Sequence, residues 1–348
     1  MTADRNKNPS KTGIRDVAEA AGVSRTAVSL VLNDEPIRIS DEKRKRIIEV
    51  ARAMNYVPHI GARRLAIRRT ETLGLVLPAQ ASAFTDEDVF DFTHHCAAIA
   101  SESGYDLLIH FYDTAEHEKS ARTADRADGS IVVLSRDEGP AVADIWAAAP
   151  QPHIIIGGGG YASPPAQFVD IDIASGIAAT TRHVIQLGHR NIAYINSASR
   201  SEKINGYLVA LTRAGLPVRR EWIFESGLSD AALNKTADDL LAMPERPTAL
   251  VCASDALAAR LMRMLRARGA DLPRDFSITG HDNLDIANLV EPGLTSVRMP
   301  VRRMARLAVA QLIALVEKQP VRALQTTLSA ELVPRASTVE REGERAAS

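Results

Sequence analysis

Cysteine is nearly absent: Cys96 and Cys252 are the two in 348 residues, which is no disulfide framework. No uncharged run of about twenty apolar residues occurs, so no transmembrane helix is expected. The opening MTADRNKNPSKTG is polar and lacks the apolar core of a secretory signal. The expected location is therefore the reducing cytoplasm, with no membrane partner. Nothing repeats at short period, which excludes a solenoid. No Ser–His–Asp or paired-carboxylate constellation stands at a recognisable catalytic spacing, so neither enzymatic activity nor a cofactor is expected. His94–His95–Cys96 are adjacent within a predicted helix and point in different directions, so no metal site is read there. Gly157–Gly160 lacks the Gly–Lys–Ser/Thr ending of a phosphate-binding loop. Tyr161–Pro165 follows it, as suits a flexible exit from a strand.

Net charge is also small, at −1, but it is unevenly spread. Residues 1–69 hold 15 Lys and Arg against 8 Asp and Glu, and the remainder holds 27 against 35. A basic first fifth is thus joined to an acidic body, a distribution that suits contact with nucleic acid through one end only. Hydrophobic content of 45% and charged content of 24% are those of an ordinary folded protein. The length suffices for two or three cores.

The basic end has a defined grammar. Ile14, Val17, Ala18 and Ala21 form one apolar stripe of a helix, Gly22 suits its left-handed termination, and Ser24 suits the N-cap of a second helix. On that second helix Ala27, Val28, Val31 and Leu32 face one way, and Arg25, Thr26, Ser29 and Leu30 face the other. A short polar face near a helix N-terminus is what a major groove can receive. Ser40 can cap a third helix with Ile47, Val50, Ala51 and Met54 on one stripe. Asn55–Pro58 and the Arg-rich stretch His59–Arg69 follow.

Taken together, DVAEAAGVSRTAVSLVLN, NYVP and ARRLA closely resemble the headpiece and hinge of the lactose-repressor (LacI/GalR) family of bacterial transcription regulators. The resemblance implies a leader over 1–11, a helix-turn-helix headpiece over 12–57 and a hinge helix over 58–70. It implies DNA contacts from Ser24, Arg25, Thr26, Ser29, Leu30 and Asn33, with Arg25 and Thr26 setting base preference. Leu30 departs from the arginine common there, and suggests a thymine-methyl contact or one fewer polar anchor. The run Lys43–Arg46 would neutralise phosphate or simply stay solvated, and it carries no sequence information. In the hinge the resemblance implies contacts from His59, Ala62, Arg63 and Leu65, with Leu65 of each subunit wedged into the minor groove of a palindrome. A helix this short, with Gly61 in it, is expected to form only on DNA.

From Glu71 onward, short apolar strand candidates alternate with helical stretches: Leu73–Leu77, Asp106–Phe111, Ser130–Leu134, His153–Ile156, Phe168–Ile171, Asn191–Ile195, Ala249–Cys252 and Phe276–Thr279. Such alternation predicts parallel sheets covered on both faces, with a ligand at the strands' carboxyl ends. The body resembles a periplasmic sugar-binding-protein fold over nearly its whole length, through Asp172, Gly176, Gly206, Ser254–Asp255, Gly280–Asn283, Leu294–Val297 and Leu332–Ser337. The implied fold class is an all-α headpiece followed by an α/β core of two doubly wound parallel-sheet subdomains. The first subdomain would comprise 71–171 with 299–326, the second 172–298 with 327–341. Crossovers are expected near Ile171–Asp172, Arg298–Pro300 and Gln325–Leu328. A truncated or irregular helix is expected over Asp113–Ala127.

The resemblance also implies a small-molecule effector, often a sugar or a purine, in the cleft between subdomains. Family positions carried over residue by residue fall on Lys203, Ser254, Asp282, Met299 and Gly158, and only Asp282 keeps the usual residue. Lysine does not reproduce a bidentate arginine clamp, so a non-standard ligand or a weakly binding pocket is expected. The implied protein is a homodimeric repressor on a palindromic operator, controlled by that effector. The tail Glu340–Ser348 lacks leucine heptads, which favours a dimer over a tetramer. The rivals are a regulator controlled by a protein partner or by no ligand, a solute-binding protein, and a nucleotide hydrolase using the glycine run.

Overall fold

The computed structural model describes residues 13–33, 36–56, 69–79, 86–112, 126–134, 140–196, 203–227, 229–321 and 323–341. The hinge candidates His59, Ala62, Arg63 and Leu65 lie outside these residues, as does 113–125, most of the segment expected to hold an irregular helix. The chain divides into two compact units, Met1–Glu71 and Thr72–Ser348.

The first unit contains α1 (Ile14–Ala21), α2 (Arg25–Leu32) and α3 (Asp41–Ala53). Its stripes close on one another: Val17, Ala18, Ala21, Val28, Val31, Ile47 and Ala51 are the buried residues of this core. Gly22, at φ +70°, ends α1 by turning its amide back to Ala18 and Glu19. Ser24 Oγ then accepts the Ala27 amide at 3.1 Å and starts α2. The turn between the two helices therefore spans only three residues, and its geometry follows from one glycine and one hydroxyl.

The second unit has two lobes. In the first, β1 (Thr72–Pro78), α4 (Asp86–Glu102), β2 (Asp106–Tyr112), β3 (Gly129–Val133), α5 (Pro140–Ala147), β4 (His153–Ile156) and β5 (Phe168–Asp172) follow in order. The second lobe runs through α6 (Ile173–Gln186), β6 (Ile192–Asn196), α7 (Lys203–Arg213), β7 (Ile223–Glu225), α8 (Asp230–Ala242), β8 (Ala249–Cys252), α9 (Asp255–Ala267), β9 (Ser277–Thr279), α10 (Ile286–Leu289) and β10 (Ser296–Arg298). The chain then returns through α11 (Val301–Val316) and β11 (Gln325–Ser329) to the first lobe, and β12 (Glu331–Val333) pairs back on β10.

The first sheet is parallel throughout, in the order β2-β1-β3-β4-β5-β11, and the second reads β7-β6-β8-β9. The apolar runs of β1, β3 and β4 are buried nearly end to end because helices cover both faces. In each sheet the order reverses beside the first strand, which opens a crevice at the carboxyl ends. Cores dominated by Leu73, Ile131, Ile154 and Leu312 in one lobe, and by Tyr194, Tyr207, Leu250 and Leu261 in the other, are separate. Both cysteines are buried, and burial raises both thiols, Cys96 to about 12.

Two details differ from the sequence expectation. β11 continues to Ser329 in register with Asp172, so the last crossing falls at Ala330, beyond Gln325–Leu328. β7 was not foreseen, because three residues at a sheet edge show no periodicity. His94 and His95, both on α4, go to different partners, His94 stacking on Phe90 and His95 meeting Asp91 at 3.4 Å.

Gly206 sets the approach of α6 to α7. A Cβ there would fall inside the Ala174 carbonyl and lie 2.9 Å from the Ala178 amide nitrogen, both backbone atoms. Gly206→Ala should destabilise the second lobe by about 1–3 kcal/mol. The check is the denaturation midpoint from Trp222 fluorescence in a Trp146→Phe background, since these two tryptophans sit one in each lobe.

Candidate functional site

On the first unit, Ser24, Arg25 and Thr26 are exposed in the opening turn of α2, while Ser29, Leu30 and Asn33 are half-buried along it. Asn33 ends the helix, and its side-chain nitrogen donates to the Ser29 carbonyl at 2.8 Å and to Ser29 Oγ at 3.4 Å. Arg25 forms no ion pair among the described residues. The helix thus offers a guanidinium and a hydroxyl at its positive end, on a rigid three-helix base, with Lys43, Lys45 and Arg46 exposed on α3.

In the second unit the polar groups converge at the carboxyl ends of the second sheet. Lys203, first residue of α7, donates to Ala253 O at 2.7 Å and to Asp282 Oδ1 at 3.5 Å. His281 Nδ1 meets the same Oδ1 at 2.7 Å. Burial by itself would raise the Asp282 carboxyl, but Lys203 and His281 outweigh it and hold it down to about 2. Gly176 makes room for this arrangement, because a Cβ there would stand 2.7 Å from His281 Nε2.

Asp282 and Asn283 both have left-handed backbone, at φ +103° and +55°, a strain of about 1–3 kcal/mol each for non-glycine residues. Four contacts hold the loop. The Asp282 amide donates to Val297 O at 3.0 Å, the Asn283 amide to Ser296 Oγ at 3.1 Å, and the Leu284 amide to Asp255 Oδ2 at 2.7 Å. Arg335 donates to Asn283 Oδ1 at 2.7 Å. Asp255 is fully buried, and its other oxygen takes the Ser296 hydroxyl at 2.5 Å. Burial pushes the Asp255 carboxyl up to about 7, against the pull of its two hydrogen bonds.

Of the candidates carried over from the sequence, Lys203 and Asp282 meet directly. Ser254 sits beside Ala253, with its hydroxyl oxygen accepting the Leu257 amide at 3.3 Å as the cap of α9. Met299 and Asp282 line one groove of about 1010 Å³. Gly158 lies elsewhere, at the exit of β4, in a turn whose Gly159 amide is held by Asp170 Oδ2 at 2.8 Å. Asp172 caps α6 by accepting the Ser175 amide at 2.9 Å, so it pins the first crossing. Sequence reasoning placed His281, Asp255, Ser296 and Arg335 only within the strings that mark the fold and gave them no part in the site. The signal available was the string Gly280–Asn283, where a buried loop concentrates polar residues.

Residues 13–59 match the family model described as bacterial regulatory proteins, lacI family, and residues 181–338 match a periplasmic binding protein-like domain. The HTH-type transcriptional repressor PurR of Vibrio cholerae serotype O1 is 30% identical over 304 residues, 85% of this chain and 88% of its own. The PurR of Aliivibrio salmonicida is 29% identical over 308 residues, covering 86% and 91%. Among solved structures, a complex of the transcriptional regulator CelR with cellobiose is 26% identical with a TM-score of 0.65, covering 94% of this chain and 99% of that one. The lac repressor dimer bound to operator and the anti-inducer ONPF shares the fold at a TM-score of 0.78 and 22% identity, with the same coverage.

The two carboxyls bend the pH–stability curve in opposite senses. Asp255 keeps a proton in the folded state that the unfolded chain has released, so its contribution falls as pH rises from about 4 to about 7. Asp282 is depressed, so its contribution is present above about 4 and fades as pH falls towards 2. Asp255→Asn mimics the protonated form: its carbonyl still takes the Leu284 amide, and its NH2 faces Ser296 Oγ. Denaturant titrations at several pH values should show a flatter profile between pH 4 and 7 in this variant, with the acid limb below pH 4 unchanged.

Proposed function

The chain belongs to the lacI family of bacterial regulatory proteins, a DNA-binding transcriptional repressor by that membership, and we propose that it works as a homodimer on an inverted-repeat operator under control of a small molecule bound between the lobes of its second unit. The observation that bears most weight is the exposed Arg25–Thr26 pair at the start of α2, presented by a closed three-helix core. A guanidinium so placed can give guanine O6 and N7 a bidentate contact.

Pairing through the second unit is supported by β2, an edge strand of the six-stranded sheet that leaves Ile109 45% and Phe111 60% exposed. Phe90 on α4 is exposed as well. An apolar edge of this kind needs covering, and a second copy related by a twofold axis covers it symmetrically. The effector reading is supported by the polar groups gathered at the strand ends, where open α/β sheets bind ligands. A cytoplasmic location follows from the proposed work on DNA; among the described residues no helix is long and apolar enough to cross a membrane.

Selection from a random DNA library by the purified full-length protein tests the reading. The expected product is an inverted repeat, and Arg25→Ala should lose discrimination at one base pair per half-site by about 1–3 kcal/mol. Sedimentation should give a dimer that Phe111→Asp weakens. A protein that prefers no inverted repeat to scrambled DNA at moderate salt would overturn the proposal.

A further inference from the structure

α11 begins in a way that local electrostatics disfavours. Its first six residues include Arg302, Arg303 and Arg306, and with Arg298 just ahead these four line the groove of about 1010 Å³ that also contains Asp282. Arg306 neighbours both Arg302 and Arg303 on the helix surface, at spacings where like charges repel. Arg302 and Arg303 lie in the first turn, at the positive end of the helix dipole. Pro300 occupies the N-cap and supplies no side-chain acceptor, and while the Val301 amide donates to Met299 O at 2.9 Å, the Arg302 and Arg303 amides stay available. Arg302, Arg303 and Arg306 make no ion pair among the described residues, and Arg298 has only a 3.6 Å contact with the exposed Glu331. By contrast Arg260 and Arg268 of the second lobe close on carboxylates at 2.7 and 2.6 Å.

The opposite wall adds an independent observation. The Asp282 side chain is only 5% exposed, and while Oδ1 serves Lys203 and His281, Oδ2 accepts no hydrogen bond among the described residues. An orphaned buried carboxylate oxygen is complementary to a donor such as a hydroxyl. The apolar part of the lining comes from Phe90, Leu284, Met299, Pro300 and Val301, and Asp91, Asn283 and Asp285 line the groove as well.

We propose that the groove takes a phosphate monoester of a polyhydroxylated small molecule, its phosphate on the arginines and amides that open α11 and its hydroxyls towards Asp282. This deepens, and rests on, the reading of the protein as a ligand-controlled repressor. Guanidinium forks match phosphate oxygens bidentately, and a dianion removes both the mutual repulsion of the arginines and their conflict with the dipole. The ligand touches the first lobe with one end and the second with the other, so it favours one relative placement of the lobes.

The test uses the full-length protein at low ionic strength, where such contacts are strongest. Glycerol 3-phosphate, ribose 5-phosphate and glucose 6-phosphate are compared by thermal shift and calorimetry with their neutral parents, inorganic phosphate and citrate. At least one ester should raise the melting temperature where its parent does not. Affinity should fall roughly tenfold or more in Arg302→Gln/Arg303→Gln/Arg306→Gln, partly in Arg303→Gln alone, and not in the remote Arg263→Gln. Asp282→Asn should weaken the ester and leave inorganic phosphate unchanged. The assignment is overturned if no ester outbinds its parent, if the triple variant binds as wild type, or if citrate or inorganic phosphate binds as well as any ester. It is also overturned if the triple variant merely loses operator affinity uniformly, which reassigns the arginines to DNA. Inverted-repeat selection on the same preparations separates the two readings: present without ester binding, only the ligand assignment falls; absent, the regulatory reading falls.

Discussion

Asp255 accepts the Leu284 amide and the Ser296 hydroxyl from a position with no solvent, and those two bonds keep a strained loop in place. They act together with the Val297 carbonyl, Ser296 Oγ and Arg335, which hold Asp282 and Asn283 directly in left-handed backbone. With them, the Asp282 carboxylate is delivered to Lys203, and the strand β10 that follows is fixed against β9 through the bridge Thr279–Thr295. A buried carboxyl with no basic hydrogen-bond partner is costly, and here the polar geometry of the cleft depends on it.

That loop also joins the two kinds of chemistry found at the lobe junction. On one side stands a charged pair built into the second lobe; on the other, the crowded cations of α11 in the first. Each is locally unfavourable, one for its backbone and the other for its charges, and local rules broken without evident compensation are most often found where something binds. The headpiece follows the opposite logic. Its caps, turn and stripes all agree with one another, as befits a rigid platform.

The legible part of the fold was written in short-range signals. Gly22, Ser24 and Ser40 mark their turn and caps in the sequence because cap chemistry is local, and the buried strands announce themselves as apolar runs. The cleft was legible only halfway. Lys203 and Asp282 could be placed by resemblance, whereas the difference between Ser254, spent on capping a helix, and Asp255, buried at the heart of the loop, depends on contacts more than twenty-five residues away. β7 and the end of β11 escaped for the same reason: edge strands take their identity from a partner, and a three-residue strand has no period of its own. The arginines of α11 are visible as letters, but that they share a groove with Asp282 is a fact of the tertiary structure.

The three crossings have a consequence for how such a chain is made. β11, the outermost strand beside β5, completes the first sheet, and β12 with Arg335 completes the surroundings of the second-lobe loop. Neither lobe is whole until the ribosome has passed residue 335, although most of the first is synthesised before residue 173. A nascent first lobe must therefore wait with an unpaired sheet edge along β5 while the entire second lobe emerges, a long exposure during synthesis for which the cell's chaperones are the natural remedy.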